Sequence, residues 1–494
     1  METFESLEEK FRTEQLRLLR PCSGQGVLNL SGPTTTLRLT STAHLKGQHS
    51  LTGWFDLLLE RTNGEKVLVH NGITTSSKGI PHPHRGDWEY RIFPNIIAFD
   101  AAALLPKKKV GRLTFTADGL EDLFSYDLLE WQSLYKVDPM AKKAIKDLRK
   151  TERAYSRSYD TFSPREIYIV HELPVVLSIP VSDKKYEIYV GMSIHRKRNG
   201  IDIRPIVHAS ITFGAAVSID DALDAAWAWR RFFNQIAMEP LPFTSLSCSA
   251  RKRKAGQSSE LYLPNVEARH RRSNPRLFTF RPGYVPYGEW KNRKKFALAM
   301  QKWLEADESR RLFRVRLDRV LEESLDTASP RLIAELCNAV DTLAEFKKST
   351  KLTAGDIDTI VTAAEAAAQS AEIDIQPSRI KGVLSLLQHQ SLPQKLKALI
   401  ADLDIAPKKD LSRVMQLAQR FRTFDAHGEH LGEMTTPLVG LTLEALKNIC
   451  VVWDQKTSGM PAAYEGRSLL AADAARFGIR EICARLGQMK SSNT

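Results

Sequence analysis

Two periodicities divide this chain, and the change from one to the other constrains its fold more than any single motif. Up to about Pro286, apolar residues come in short runs that alternate with polar ones, as in half-buried strands. From Asn292 onward they recur at three- and four-residue steps, as on amphipathic helices. At 494 residues the chain is too long for one core. The expected fold class is α+β and multidomain: a β-rich N-terminal region followed by an all-α bundle at 290–494. Within the β-rich region, the lysine- and arginine-rich connection Lys136 to Arg157 reads as helical and divides residues 1–136 from 137–289.

Residues 3–20 read as a short charged helix stopped at Pro21. The alternating runs GVLNLSGPTTTLRLTSTAHL and GWFDLLLERTNGEKVLVHNG follow, with Asn63-Gly64 as a hairpin turn. VGRLTFTADGLEDLFSY is a strand passing into a short helix. In the second stretch, REIYIVHELPVVLSIPV precedes a hairpin that turns at Asn199-Gly200. The helix DDALDAAWAWRRFFNQIA then carries Trp227, Trp229, Phe232 and Phe233, which read as a packing face against the sheet rather than a base-stacking platform.

A net charge of +13 and a pI near 9.4 favour a polyanionic partner. The most basic stretch interleaves Arg251 to Lys254, Arg269, Arg271 and Arg272 with Phe278, Phe280, Tyr284 and Tyr287. It suits either a single-stranded RNA groove or a solvated connection. Five scattered cysteines, never in a C-x-x-C pair, fit a reducing compartment without structural zinc. The acidic start METFESLEEKF is no signal peptide, and no apolar run could cross a bilayer, so a cytoplasmic protein with no membrane partner is expected. His70, His82 and His84 with Asp87 invite a metal reading, but PHPH lies in a solvated proline-rich loop and no second ligand group stands at zinc spacing; no metal and no cofactor are expected.

In the helical half, Pro330, Pro377 and Pro393 punctuate successive helices, and Leu438, Leu441, Ala445 and Ile449 mark a core face on a helix restarting at Thr436-Pro437. Between them lies DLSRVMQLAQRFRTFDAHGE, Asp410 to Glu429. Val414, Leu417, Phe421 and Phe424 share one face, Asp410 is placed as the N-cap, Gly428 as the stop, and His427 falls in the last turn. Two arginines precede His427. Arg420 shares its flank roughly 10 Å away, whereas Arg422 lies about 140° round the helix. Arg422 therefore meets His427 only if the helix breaks near Asp425 or a second copy completes the site.

FRTFDAHGE, with Arg422, four residues and His427, resembles the R-x4-6-H signature of HEPN ribonucleases. The ordered segments FDLLLE, HNGITTSSKG, YRIFPNIIAF and TFTADGLEDLFSYDLLEWQ resemble the N-terminal region of the ApeA family of bacterial defence proteins. The resemblance implies a metal-independent RNA endonuclease in anti-phage, abortive-infection defence, restrained or triggered by its N-terminal region. It implies Arg422 as phosphate stabiliser, His427 as general base and acid, RNA (tRNA among the candidates) as substrate, a phage-derived trigger, and a homodimer through the helical domain. Asp341 and Glu345 are acids of a kind often found on an earlier helix of such domains. Thr423 stands where the family often has asparagine. The rival expectation is a non-catalytic RNA-binding or interaction protein built on the same bundle.

Overall fold

The computed structural model describes residues 3–20, 23–41, 54–80, 87–100, 109–124, 175–197, 200–250, 258–264, 293–324, 327–343, 354–373, 376–386, 390–401, 403–427, 436–460, 463–464, 467–468 and 470–492. The expected helix from Lys136 to Arg157, the basic segment around Arg251 to Lys254 and Arg269 to Tyr287, His82, His84, Glu345 and Gly428 lie outside the described residues.

A short helix, α1 (Phe4–Lys10), opens the chain, but residues 14–20 are not its continuation. Leu16 and Leu18 alternate with exposed Gln15 and Arg17, and the segment forms a strand, β1 (Glu14–Arg20). Pairing on both edges, with β2 (Gly24–Asn29) and β4 (Trp54–Arg61), overrides its charged, helix-compatible composition. β2 pairs in turn with β3 (Thr36–Ser41), β3 with β6 (Asp87–Phe93), and β6 with β5 (Lys66–Ile80). Because β5 also pairs with β4, these six antiparallel strands close into a barrel. Gly64 supplies the positive φ of the β4–β5 turn, as Asn63-Gly64 led one to expect.

The fifteen residues of β5 serve two neighbours on one side. Its second half completes the barrel against β6, and its first half pairs with β7 (Ile96–Ala98). From β7 an open wing continues through β13 (Ser259–Tyr262), β12 (Phe243–Ser249), β8 (Val110–Ala117), β11 (Gly200–Val217), β10 (Lys184–Lys197) and β9 (Val175–Val181). β8 precedes residue 137 in the chain yet sits between β12 and β11, so strands from both sides of that position share one sheet. Lys197 pairs with Gly200, which places Gly200 in the strand rather than in the β10–β11 turn.

A short helix, α2 (Leu120–Leu123), follows β8, and the longer α3 (Ile219–Ala237) lies against the wing. Ser218 caps α3 by accepting from the Asp221 N–H at 3.1 Å. Trp229, Phe232 and Phe233 are fully buried, with Trp229 edge-on to Phe115 and Tyr186. The first helix of the α-rich half, α4 (Arg293–Glu305), enters this same core: Met300 accepts from the Trp229 indole, and Trp303 meets Phe232. The change of periodicity near residue 290 therefore falls after the last described strand of the large sheet, while the first core runs on through α4.

A second core is formed by α5 (Asp307–Glu323), α6 (Pro330–Asp341), α9 (Leu392–Ala401), α10 (Lys408–His427), α11 (Thr436–Thr457) and α12 (Leu470–Ser492). α7 (Ala354–Ser370) and α8 (Pro377–Leu386) pack on each other. The strands β14 (Ala463–Tyr464) and β15 (Arg467–Ser468) form a small ladder before α12. The fold is thus α+β, a β-rich region followed by a helical region.

The two cores meet across a polar seam between α3 and α5. Asn234 donates to Asp318, Arg231 pairs with Asp307, and buried Arg230 pairs with Glu322 at 2.9 Å while lying over Trp227. At its end Asp454 of α11 is fully buried. Its carboxylate accepts from Gln235 at 3.0 Å, the Trp303 indole at 2.8 Å, Arg310 at 2.9 Å, and Arg314 at 2.9 and 3.0 Å. Burial alone pushes this carboxyl up; the charges and hydrogen bonds of Arg314, then Arg310 and Gln235, reverse that and hold it below the usual carboxylate range.

Candidate functional site

α10 begins three residues earlier than the sequence suggested. Pro407, not Asp410, stands before its first turn, and the Pro407 carbonyl accepts from the Asp410 and Leu411 amides at 2.9 and 3.1 Å. Asp410 instead lies within the first turn, where a carboxylate suits the helix dipole. Lys408 locks this start to the end of α9 by donating to the carbonyls of Ile400 and Leu403, both at 2.8 Å. Leu411, Val414, Leu417, Ala418 and Phe421 are buried, and Phe424 is half-buried, so the expected apolar face holds the helix against α6, α9, α11 and α12.

The helix continues unbroken past Asp425 to His427, its last residue. Of the two ways in which Arg422 could meet His427, a break near Asp425 is therefore not the one used within this chain. Their Cα–Cβ directions differ by about 140°. The His427 side chain lies outside the described residues.

Arg422 is half-buried and makes no hydrogen bond or ion pair among the described residues. It lies on the side of α10 facing α6, close enough to Cys337 for its charge to act on the thiol. Burial pushes that thiol up to about 12, and the Arg422 charge opposes the rise. Asp341 at the end of α6, whose charge raises the same thiol, is taken up by Lys395, whose Nζ donates to its carboxylate at 2.7 Å and its carbonyl at 2.8 Å. The guanidinium remains uncommitted among the described residues. Arg420 is exposed and equally uncommitted among the described residues. Thr423 spends its hydroxyl on the Gln419 carbonyl at 3.0 Å, within its own helix. The sequence reading did not single out Lys395; its neutralising role depends on a contact 54 residues away in the chain.

His70, considered beside the proline-rich loop, belongs to a different arrangement. Its Nδ1 lies 2.7 Å from Asp56 and its Nε2 3.0 Å from Asp220 in the first turn of α3, while Asn71, at positive φ, bonds both carboxylates. The cluster clamps the barrel to α3. No group of side chains suited to a metal ion is found among the described residues.

The family model described as ApeA N-terminal domain 1 matches residues 23–282, more than half of the chain. The chain belongs to the ApeA family. The matched span takes in five of the six strands of the ApeA barrel, all but β1, together with the wing and α3, whose polar residues face the seam. Membership associates the chain with anti-phage defence. Comparison with curated proteins and with solved structures finds no match. No helix among the described residues is long and apolar enough to cross a membrane.

Proposed function

We infer that this chain is a metal-independent RNA endonuclease of anti-phage defence, with a HEPN-type helical domain whose working residues are Arg422 and His427. One observation carries the reading: Arg422 is a half-buried cation with no anionic partner among the described residues, on the helix that ends at His427. A guanidinium kept free in this way can grip two oxygens of a phosphate.

The chemistry then needs no metal. RNA supplies its own nucleophile, the 2′-hydroxyl. His427 takes its proton, the 2′-oxygen bonds to phosphorus, the bond to the 5′-oxygen breaks, and the imidazolium returns a proton to that leaving oxygen. Arg422 offsets the extra negative charge on the phosphoryl oxygens as it develops. Since the two residues diverge by about 140° on an unbroken helix, the reading includes a homodimer in which the arginine of one copy serves the histidine of the other. The N-terminal region would restrain the helical domain until a phage-derived cue arrives.

Purified protein is expected to cut RNA in EDTA, and Arg422→Ala or His427→Ala to slow cutting by roughly a hundredfold or more. Undiminished cutting by His427→Ala would remove the assignment. Where the resting protein is silent, the same comparison under phage challenge, with total RNA run on a gel, provides the test.

The same divergence of Arg422 and His427 also favours a second reading, an RNA-binding module with no cleavage. Such a module would shift RNA on a gel without shortening it and would tolerate His427→Ala.

A further inference from the structure

The outer face of the barrel carries charges that the fold does not use. Inward residues Leu16, Leu18, Leu28, Leu37, Leu39, Tyr90 and Ile92 are buried, so their alternates point to solvent. Register aligns these alternates in two rows across five strands. One row runs Gln15, Val27, Arg38, Arg91, Ser76, and the next Arg17, Gln25, Thr40, Glu89, Lys78. All ten are exposed.

Arg38 and Arg91 stand directly opposite each other, a juxtaposition that like charges disfavour. Neither they nor Arg17 or Lys78 make an ion pair among the described residues, and Glu89 is the one acid in the two rows. With neighbouring strands about 4.8 Å apart, the four cations extend over roughly 19 Å of curved sheet. A face of this kind gains stability when an anion lies on it.

We propose that these two rows bind the phosphate backbone of an RNA strand, forming a docking surface separate from α10. Arginine and lysine interleaved with glutamine, serine and threonine are the residue types that position nucleic-acid phosphates. An acidic protein partner fits less well, because protein interfaces rely on buried aromatic or apolar anchors and Val27 is the only apolar residue in the rows. With no aromatic ring in either row, the contact is to phosphate rather than to bases, so it tolerates any sequence and weakens steeply with salt. The choice of RNA over other phosphate polymers rests on the function proposed above.

Fluorescence anisotropy of labelled oligouridylate on the full-length His427→Ala protein tests this without cutting. The added pair Arg38→Gln and Arg91→Gln is expected to weaken binding by roughly ten- to a hundredfold at low salt and to flatten the salt slope by about 1.4. Glu89→Gln is expected to tighten it. Melting by circular dichroism checks that each variant is folded. Unchanged affinity and slope in the double variant, or displacement of the RNA by polyglutamate as readily as by unlabelled oligouridylate, would overturn the proposal. Loss of binding in a protein whose wild type cuts no RNA would leave the docking surface standing and remove only the nuclease.

Discussion

At the seam between the two cores, Arg310 and Arg314 are buried and close on Asp454, whereas on the barrel Arg38 and Arg91 face each other in solvent with no acid between them. Arg422 falls between these extremes: it is half-buried like a structural arginine but uncommitted like a surface one. The same side chain therefore does three kinds of work, set by what surrounds it. Buried and fully paired, it fixes how two cores meet; exposed and unpaired, it leaves a field for a ligand; half-buried and free, it is the cation to which the function proposed above assigns a phosphate.

The largest expected effect breaks the seam. Asp454→Ala leaves two buried guanidinium groups without their carboxylate and should lower stability by about 3–5 kcal/mol. Chemical denaturation would show it, and a wild-type midpoint would mean that water reaches the seam and screens the charges. Such a buried cluster need not outperform an apolar replacement of the same shape. Its distinctive contribution is directional: five donors converge on two oxygens, so one relative placement of α3, α4, α5 and α11 satisfies them all.

Arg314→Lys sharpens the same point at constant charge. The guanidinium spans both Asp454 oxygens and also donates to the Trp303 carbonyl at 2.7 Å, over whose ring it stacks at 3.5 Å. An ammonium keeps the attraction and loses the fork, so a loss of about 1.5–3 kcal/mol is expected in the same unfolding assay. A loss near zero would show that charge, not geometry, holds the seam.

Acid separates a paired group from an unpaired one. His208 on β11 stacks on Tyr189, its Nδ1 is buried without a partner, and burial lowers its pKa to about 4 from an ordinary 6.5. Above that ordinary value both folded and unfolded chains hold it neutral. As pH falls from 6.5 towards 4 the unfolded chain takes up the proton first, so stability declines over that window, by about 2 kcal/mol. Asp454 behaves oppositely in position: its carboxyl is held down, so its contribution persists through this window and is lost only below the usual carboxylate range. His208→Gln should flatten the first decline and leave the second; melting temperatures across pH would show an unchanged profile if the ring were solvated.

Local patterns made much of this fold readable and left the seam hidden. The spacing of Val414, Leu417 and Phe421 gave α10, and Asn63-Gly64 gave the β4–β5 hairpin. EQLRLLR failed because its pairing with β4 lies about forty residues away, beyond any window of periodicity. Asp454 could not be singled out, since its partners stand 140 to 219 positions off. The candidate site was half legible. Arg422 and His427 were named from their motif, but that Arg422 is half-buried without an ion pair among the described residues, and that Asp341 is occupied by Lys395, follows only from packing.

The smallest expected effect tests the comparison from its exposed side. If the barrel arginines serve a ligand rather than the fold, Arg38→Gln with Arg91→Gln should change stability by less than about 0.5 kcal/mol, and any change should be a gain, because a repulsive cross-strand pair is removed. The gain should shrink as salt screens the repulsion. A clear loss of stability would instead show that the two guanidinium groups pack their stems on the barrel as structural residues, and the contrast with Arg310 and Arg314 would then be one of degree.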